Sequence, residues 1–181
     1  MKIGIVIGSI REGRAGDKVG HWVDGIARDH GVDVEVLDLK AFDVPLLTSP
    51  TPPAAAGGHY DSPEVRRWSE AVAACDGFVF VTPEYNHGVP GAFKNAVDTL
   101  APEWAQKAVG FVSYGADSGV RAVEQWRQIA ANLQLFDVRA QVAISLFTEF
   151  DKDGAFVPAD RRDGELRTLL DQVTSLTARL R

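Results

Sequence analysis

The chain has 181 residues, of which 45% are hydrophobic and 24% charged, and a globular chain of this length can bury a core without disulfide bonds. Its formal net charge of −6 argues against nucleic acid and anionic membranes as partners, because attraction to phosphate dominates the affinity of proteins that bind them. We therefore expect one domain over residues 1–181 that binds neither.

The cysteine content and the N-terminal sequence bear on the compartment. Cys75 is the only cysteine, so no intrachain disulfide can form, which favours a reducing environment. Residues 1–8 lack the length and the cleavage site of a signal peptide. No apolar run approaches the roughly 20 residues that a membrane helix needs. These observations predict a cytoplasmic protein.

Apolar periodicity predicts strands and helices in regular alternation. In chain order the predicted elements are strand 3–8, helix 16–30, strand 32–37, helix 63–75, strand 77–82, helix 89–100, strand 108–114, helix 120–133, strand 138–146 and helix 166–180. Such alternation indicates an α/β fold, with a parallel sheet covered by helices on both faces. Cys75 is expected to pack in the core, and Trp104, which falls between predicted elements, is expected at an interface.

Residues 40–63 interrupt this alternation. They contain five prolines and the run Ala54–Gly58, so the sequence predicts a long loop that ends where Ser62 caps the next helix and Pro63 opens it. Loops of this length are often lids or interface arms. A surface excursion without a role is the other interpretation, and the sequence does not separate the two.

The loop after the first strand, residues 8–17, is a candidate phosphate site. Its glycines allow backbone amides to turn inward, and the following helix adds partial positive charge. Ser9 can donate its hydroxyl, and Arg11 and Arg14 can add charge-assisted hydrogen bonds. Asp17 is expected to point away or to cap the helix. The alternative is an ordinary loop whose charges are solvated.

The spacing of this first loop excludes two better-known phosphate motifs. A dinucleotide fingerprint needs glycine where the chain has Ile10, and a Walker loop needs a closing Gly-Lys-Ser/Thr, which is absent. The first loop remains a candidate ligand site, because ligands of parallel sheets bind at the carboxyl ends of the strands, where this loop begins.

The loops after the third and fourth strands are also unusual. Residues 82–91 place two prolines and two glycines around a polar and aromatic cluster, which can present amides in one plane to a flat heterocycle. Tyr85 can stack there, whereas His87 alone is better interpreted as a surface histidine. In residues 113–120, glycines permit close approach of a ligand, and Asp117 or Ser118 is expected to cap the next helix.

Together the three loops resemble those of the NADPH-dependent FMN reductase family, which includes flavin, quinone, azo-dye and chromate reductases. The most specific segments are Thr82–Asn86, Val89–Gly91 and Phe93–Asp98, supported by Gly8–Arg11 and Ser113–Gly115. The resemblance runs over about the whole chain. It implies a flavodoxin-like three-layer sandwich around a five-stranded parallel sheet of order 2-1-3-4-5.

The resemblance also implies noncovalent FMN and a homodimer or homotetramer. The residues that match the family's flavin loops are Ser9, Arg11, Arg14, Gly16, Asp17, Pro83, Glu84, Tyr85, Asn86, His87, Ser113 and Gly115. Many members carry serine and asparagine where this chain has Arg14 and Gly16. Because a flavin carries the redox chemistry itself, we expect no catalytic side chain and no metal.

The implied activity is ping-pong hydride transfer from NADPH or NADH to FMN, and then to a flavin, a quinone or a similar small-molecule electron acceptor. Tyr85, His87, Tyr114 and residues 48–63 are expected to shape the slot for the two substrates. The alternative is a flavodoxin-like, FMN-binding electron carrier, although the first loop lacks the Thr/Ser-rich sequence usual in flavodoxins.

Overall fold

The computed structural model describes every residue from 1 to 181 and contains five strands and seven helices. In chain order they are β1 (Lys2–Ile7), α1 (Gly16–Asp29), β2 (Asp33–Asp38), α2 (Leu39–Phe42), α3 (Pro53–Ala56), α4 (Pro63–Ala73), β3 (Gly77–Pro83), α5 (Gly91–Asp98), β4 (Lys107–Gly115), α6 (Val120–Asn132), β5 (Leu135–Ser145) and α7 (Arg162–Leu180).

The five strands form one parallel sheet in the order β2-β1-β3-β4-β5, so the predicted fold is confirmed. Strand β3 is buried along its whole length, as expected of a central strand with helices on both faces. No helix combines the length and the apolar character needed to cross a membrane.

The two faces of the sheet bury different cores. One face is aromatic, with the rings of Trp68, Phe80, Phe93, Trp104 and Trp126 packed beneath α4, α5 and α6. The other face is mainly aliphatic and lies beneath α1 and α7. The expectation that Trp104 marks an interface is wrong, because its ring is fully buried and its indole nitrogen donates to the Val97 carbonyl.

The segment predicted as a long loop holds two single-turn helices. Asp38 ends β2 and accepts the Lys40 amide, which starts α2, and Pro53 starts α3. The end of the segment is anchored, because the Tyr60 hydroxyl donates to the buried carboxylate of Glu103. The predicted Ser62 cap is confirmed by its bond from the Val65 amide.

Strand β5 begins at Leu135, three residues earlier than its apolar pattern predicts. Three of its first five residues, Phe136, Asp137 and Arg139, are exposed, so the start of this edge strand lacks the continuous apolar run of a central strand.

A buried ion pair fixes the segment between β5 and α7. Arg162 donates through two nitrogens to Glu149, at 2.9 and 2.7 Å, and their side chains are 7% and 4% exposed. The amides of Ser145 and Ala159 also donate to the Glu149 carboxylate. Both ends of the segment are therefore tied to one carboxylate.

Cys75 is expected to be a slow thiol. It is buried against the sheet, and burial raises the pKa of its thiol to about 11, so only about one molecule in a thousand carries the reactive thiolate at pH 8. A thiol–disulfide reagent should react at least about 100-fold more slowly with the native protein than with the protein in denaturant. Equal rates in the two states would contradict this packing.

Candidate functional site

The candidate site lies at the carboxyl edge of the sheet, where the strand order reverses. The chain passes from β1 outward to β2 and then returns to β3 on the other side of β1. At such a reversal the loops leave a crevice, which is the usual ligand position in open α/β sheets. The loops after β1, β3 and β4 border it, and the twelve predicted site residues lie in these loops or in the adjoining ends of α1, β3 and β4.

The loop after β1 presents a run of unused backbone donors. None of the amides of residues 9–17 donates a hydrogen bond to the protein, whereas Gly8 donates to Val81 and Lys18 to the Asp17 carboxylate. The run ends in the first turn of α1, a helix of 14 residues, whose terminus carries partial positive charge. Free amides next to a helix N-terminus suit a phosphate group.

Ser9 joins the first loop to the second. Its hydroxyl lies 2.8 Å from that of Tyr85, so the predicted phosphate and ring loops are in direct contact. Arg11 is exposed, takes part in no ion pair and has its guanidinium carbon 6.0 Å from the centre of the Tyr85 ring. It is therefore a cation at the mouth of the crevice without a protein carboxylate to neutralise it.

The guanidinium of Arg14, a predicted phosphate ligand, is bound by partners within the protein. Its two terminal nitrogens donate to the two Asp38 oxygens at 2.8 and 2.5 Å, and one also donates to the Ser9 carbonyl. Burial alone would lower the pKa of Arg14, but the bonds to Asp38 raise it above its ordinary value. A second pair, Lys40 with Glu12, joins the same two segments. These pairs hold the first loop against the end of β2.

The acidic residue of the first turn faces its own helix. The Asp17 carboxylate accepts the amide of its neighbour Lys18, and the N-cap residue of α1, Ala15, makes no side-chain capping bond. Gly16 is buried, and a Cβ atom there would lie 2.4 Å from the Tyr114 hydroxyl. Only glycine therefore fits at this position without displacing that ring.

The loop after β3 turns back as a tight hairpin. Tyr85 and Gly88 exchange backbone hydrogen bonds at 3.0 and 3.1 Å, with Asn86 and His87 between them at φ of 49° and 72°. Two left-handed central residues define a type I′ turn, which asparagine tolerates well. The amides of Asn86 and His87 have no protein acceptor, so both are free to donate to a ligand.

Glu84 has a structural partner that the sequence did not reveal. Its carboxylate is buried and accepts from the side chain and the amide of Arg121, at 2.6 and 3.1 Å, in the first turn of α6. The expected cap by Asp117 or Ser118 is wrong, because the N-cap is Gly119 and has no side-chain bond. Glu84, from the loop after β3, instead accepts a free amide at the N-terminus of α6. No local sequence signal marks such a contact.

The loop after β4 completes the border of the crevice. Ser113 donates its hydroxyl to the Ser118 carbonyl at 2.7 Å, which closes the loop on itself. A Cβ atom at Gly115 would lie 3.1 Å from the Gly119 amide, and Gly119 itself has φ of 73°. The backbone of this loop is therefore tightly folded, and its amides at Ala116 and Asp117 have no protein acceptor.

Tyr114 does not line the crevice as expected. Its ring packs in the aliphatic core beneath α1, and its hydroxyl is the one buried side-chain oxygen or nitrogen without a hydrogen-bond partner. Burial raises the pKa of this hydroxyl. A buried donor without a partner costs about 1–3 kcal/mol, so this group calls for an explanation.

A separate cavity of about 580 Å³ lies under residues 45–62. Its wall is tied to α5, because the Asn95 side chain donates to the Pro45 carbonyl and accepts the Leu47 amide. Asn95 lies one turn along α5, and Thr99, the C-cap of the same helix, also lines the cavity, so the cavity is attached to α5.

The crevice fits the phosphate and ring of a flavin nucleotide. Free amides and an unneutralised arginine occupy the end at α1, and the hairpin adds two further amides without a protein acceptor. No carboxylate of the protein accepts the amides of the first loop. Free donors of this kind suit an anionic ligand.

Comparisons with known proteins agree with this fit. A model of the NADPH-dependent FMN reductase family matches residues 1–149. An NAD(P)H-dependent FMN reductase of Nectria sp. is 39% identical over 129 residues, which are 68% of this chain and 64% of the relative. One from Schizosaccharomyces pombe is 31% identical over 179 residues, 97% of this chain and 90% of the relative.

Solved structures support the same fold at low identity. FerB, a flavoenzyme NAD(P)H:acceptor oxidoreductase from Paracoccus denitrificans, aligns with a TM-score of 0.76 at 18% identity, over 96% of this chain and 97% of its own. RosB with a bound flavin-phosphate intermediate aligns with a TM-score of 0.78 at 13% identity, over 99% and 80%. On the match of the family model, the chain belongs to the NADPH-dependent FMN reductase family of FMN-dependent oxidoreductases that use NAD(P)H.

Proposed function

We propose that residues 1–181 act as a single FMN-binding domain that transfers hydride from NADPH or NADH to a flavin, a quinone or a similar small acceptor. The observation that carries the proposal is the run of unused amides at residues 9–17, which ends at the N-terminus of α1. FMN, when bound, supplies the two-electron chemistry between the two substrates.

The three loops would each contact a different part of the cofactor. The amides of residues 9–17, with Ser9, Arg11 and Gly16, would bind the phosphate, because they combine free donors with positive charge. The segment from Pro83 to His87 would hold the ring, and Ser113 with Gly115 would keep the third loop close to it. Contacts of Arg14, Asp17 and Glu84 with the cofactor would go through their backbone, since their side chains are engaged elsewhere.

The amides of the hairpin provide the electrostatic part of the mechanism. Those at Asn86 and His87 are free and fixed by the turn, so they can stabilise negative charge without moving. A slot open on one side would let the nicotinamide leave before the acceptor enters, as a ping-pong cycle requires. The cavity under residues 45–62 is proposed as the space for the acceptor.

The exposed apolar side chains support a homodimer or homotetramer. Those near the carboxyl edge of the sheet are Ile10, Leu46, Leu47, Val120, Leu146 and Phe147. Apolar side chains concentrated on one edge are typical of an interaction surface. A cytoplasmic location stays a prediction from the single cysteine.

The test is an absorption spectrum of the protein reconstituted with FMN and then given NADPH or NADH without oxygen. We expect retained flavin absorption that is lost on adding the nicotinamide and returns on adding a quinone. Bound flavin that neither nucleotide reduces would favour the electron carrier instead. A protein that retains no flavin would contradict the proposal.

A further inference from the structure

Helix α6 binds the hairpin after β3 through one glutamine. The Gln125 side chain donates from Nε2 to the His87 carbonyl at 2.9 Å and accepts the Val89 amide on Oε1 at 3.1 Å. A Cβ atom at Gly88 would lie 3.0 Å from the same Oε1, so the glutamine packs directly on the turn. One side chain therefore binds both of the peptide groups that flank Gly88.

The remaining polar groups of these two peptides are bonded within the hairpin. The Gly88 amide donates to the Tyr85 carbonyl at 3.1 Å, and the Gly88 carbonyl accepts the Tyr85 amide at 3.0 Å. The returning limb of the hairpin is thus bound by Tyr85 on one side and by Gln125 on the other. The free amides of the hairpin are those at its tip, Asn86 and His87.

A second residue of α6 binds the start of the hairpin. Arg121 donates to the Glu84 carboxylate from its side chain and its amide, and it lies one helical turn before Gln125. Residues four apart lie on the same face of a helix, so Arg121 and Gln125 bind the two limbs from one rigid surface. We call these two residues the hairpin clamp.

The turn needs such support, because neither of its central residues is glycine. Asn86 and His87 have φ of 49° and 72°, in the left-handed region that side chains disfavour. His87 occupies the position where a turn of this type favours glycine. A backbone in this region persists when the surrounding structure holds it, and the bond from Gln125 acts on the carbonyl of this residue.

We propose that Gln125 is a positioning residue of the flavin ring site, which holds the turn so that the amides of Asn86 and His87 stay aligned for negative charge on the reduced ring. The inference rests on the proposed function and deepens it. Donors that are fixed in advance stabilise charge without reorganisation. Gln125 therefore sets how much more tightly the protein binds reduced FMN than oxidised FMN, and this ratio determines the midpoint potential of the bound cofactor.

The variant Gln125→Met removes both hydrogen bonds and keeps the length of the side chain. It should reduce the affinity for reduced FMN about 10-fold more than the affinity for oxidised FMN, because bonds to a charged group are stronger than bonds to a neutral one. A tenfold change in this ratio makes a two-electron midpoint potential about 30 mV more negative. Redox titration of the FMN-loaded protein against a dye of known potential measures the shift.

A second substitution tests the turn itself. Asn-Gly is the favoured sequence of a type I′ turn, so adding His87→Gly to Gln125→Met should recover at least half of the shift in potential. The matched control is Gln172→Met in α7, which removes a glutamine that accepts the Ala140 amide of the edge strand β5 at 3.0 Å. This control should leave the potential unchanged.

Other results overturn the inference. An unchanged potential in Gln125→Met, an equal shift in Gln172→Met, or no recovery with His87→Gly would remove Gln125 from cofactor positioning and leave the proposed function standing. A Gln125→Met protein that fails to fold would show that the glutamine serves the fold instead. Wild-type protein that retains no FMN would overturn the proposed function and this inference together.

Discussion

Alanine at position 8 is expected to weaken FMN binding by about 100-fold or more, because a shift of about 1 Å in a positioning loop can have an effect of this size. A Cβ atom at Gly8 would lie 2.0 Å from the Phe93 ring. That ring is fully buried, 4.9 Å from the Phe80 ring and 4.6 Å from the Trp126 ring between centres, so the phosphate loop must move instead. Titration of the flavin-free protein with FMN measures the effect.

The same substitution should lower the free energy of unfolding by about 2–3 kcal/mol, as overpacking of a close-packed core does. The matched control is Gly91→Ala, which opens α5 beside the hairpin and has open space where the Cβ atom would lie. It should leave both quantities near wild type. Phe93→Leu combined with Gly8→Ala should recover part of the FMN affinity, and its failure to do so would contradict the steric explanation.

Replacing Glu149 with glutamine is expected to destabilise the protein by about 3–5 kcal/mol at neutral pH. Removing one partner of a buried pair leaves the other charge uncompensated, and both side chains here are almost fully buried. Denaturant unfolding of the two proteins measures the difference. Glu12→Gln, which breaks a pair whose acidic side chain is 91% exposed, is the control and should have little effect.

The effect of Glu149→Gln should depend on pH. Burial alone would raise the pKa of Glu149, but bonds from Arg162 and from two backbone amides lower it below its ordinary value. A carboxyl group whose folded pKa is lowered stabilises the protein above its unfolded pKa of about 4.3, and this stability is lost as pH falls through the folded pKa. The stability difference between wild type and variant should therefore shrink below about pH 4. A difference that is constant from pH 7 to pH 3 would contradict the assignment.

The elements and their order could be predicted from the sequence because they depend on local periodicity. The strand order followed from the family resemblance, and the alternation of elements gave the parallel sheet. The interior of residues 40–63 was missed, because α2 and α3 are single turns whose stability comes from a cap at Asp38 and a proline at residue 53. Such short helices leave no apolar period to detect.

The side-chain partners within the site could not be predicted, since they join distant parts of the chain. Arg14 looked like a phosphate ligand from its own loop, but its carboxylate partner lies 24 residues away. The partner of Glu84 lies 37 residues away. Tyr114 lies in a strand whose apolar pattern predicts that its ring is buried. The pattern does not predict that its hydroxyl has no hydrogen-bond partner.

The bond between Arg14 and Asp38 has a consequence for protein engineering. The two residues have to be exchanged together. Replacing only one of them leaves the charge of the other unpaired and partly buried near the Ser9 carbonyl. A phosphate loop transplanted from this chain onto another sheet must therefore bring the last residue of β2 with it. A library that randomises position 14 should vary position 38 in parallel, so that matched pairs are sampled together.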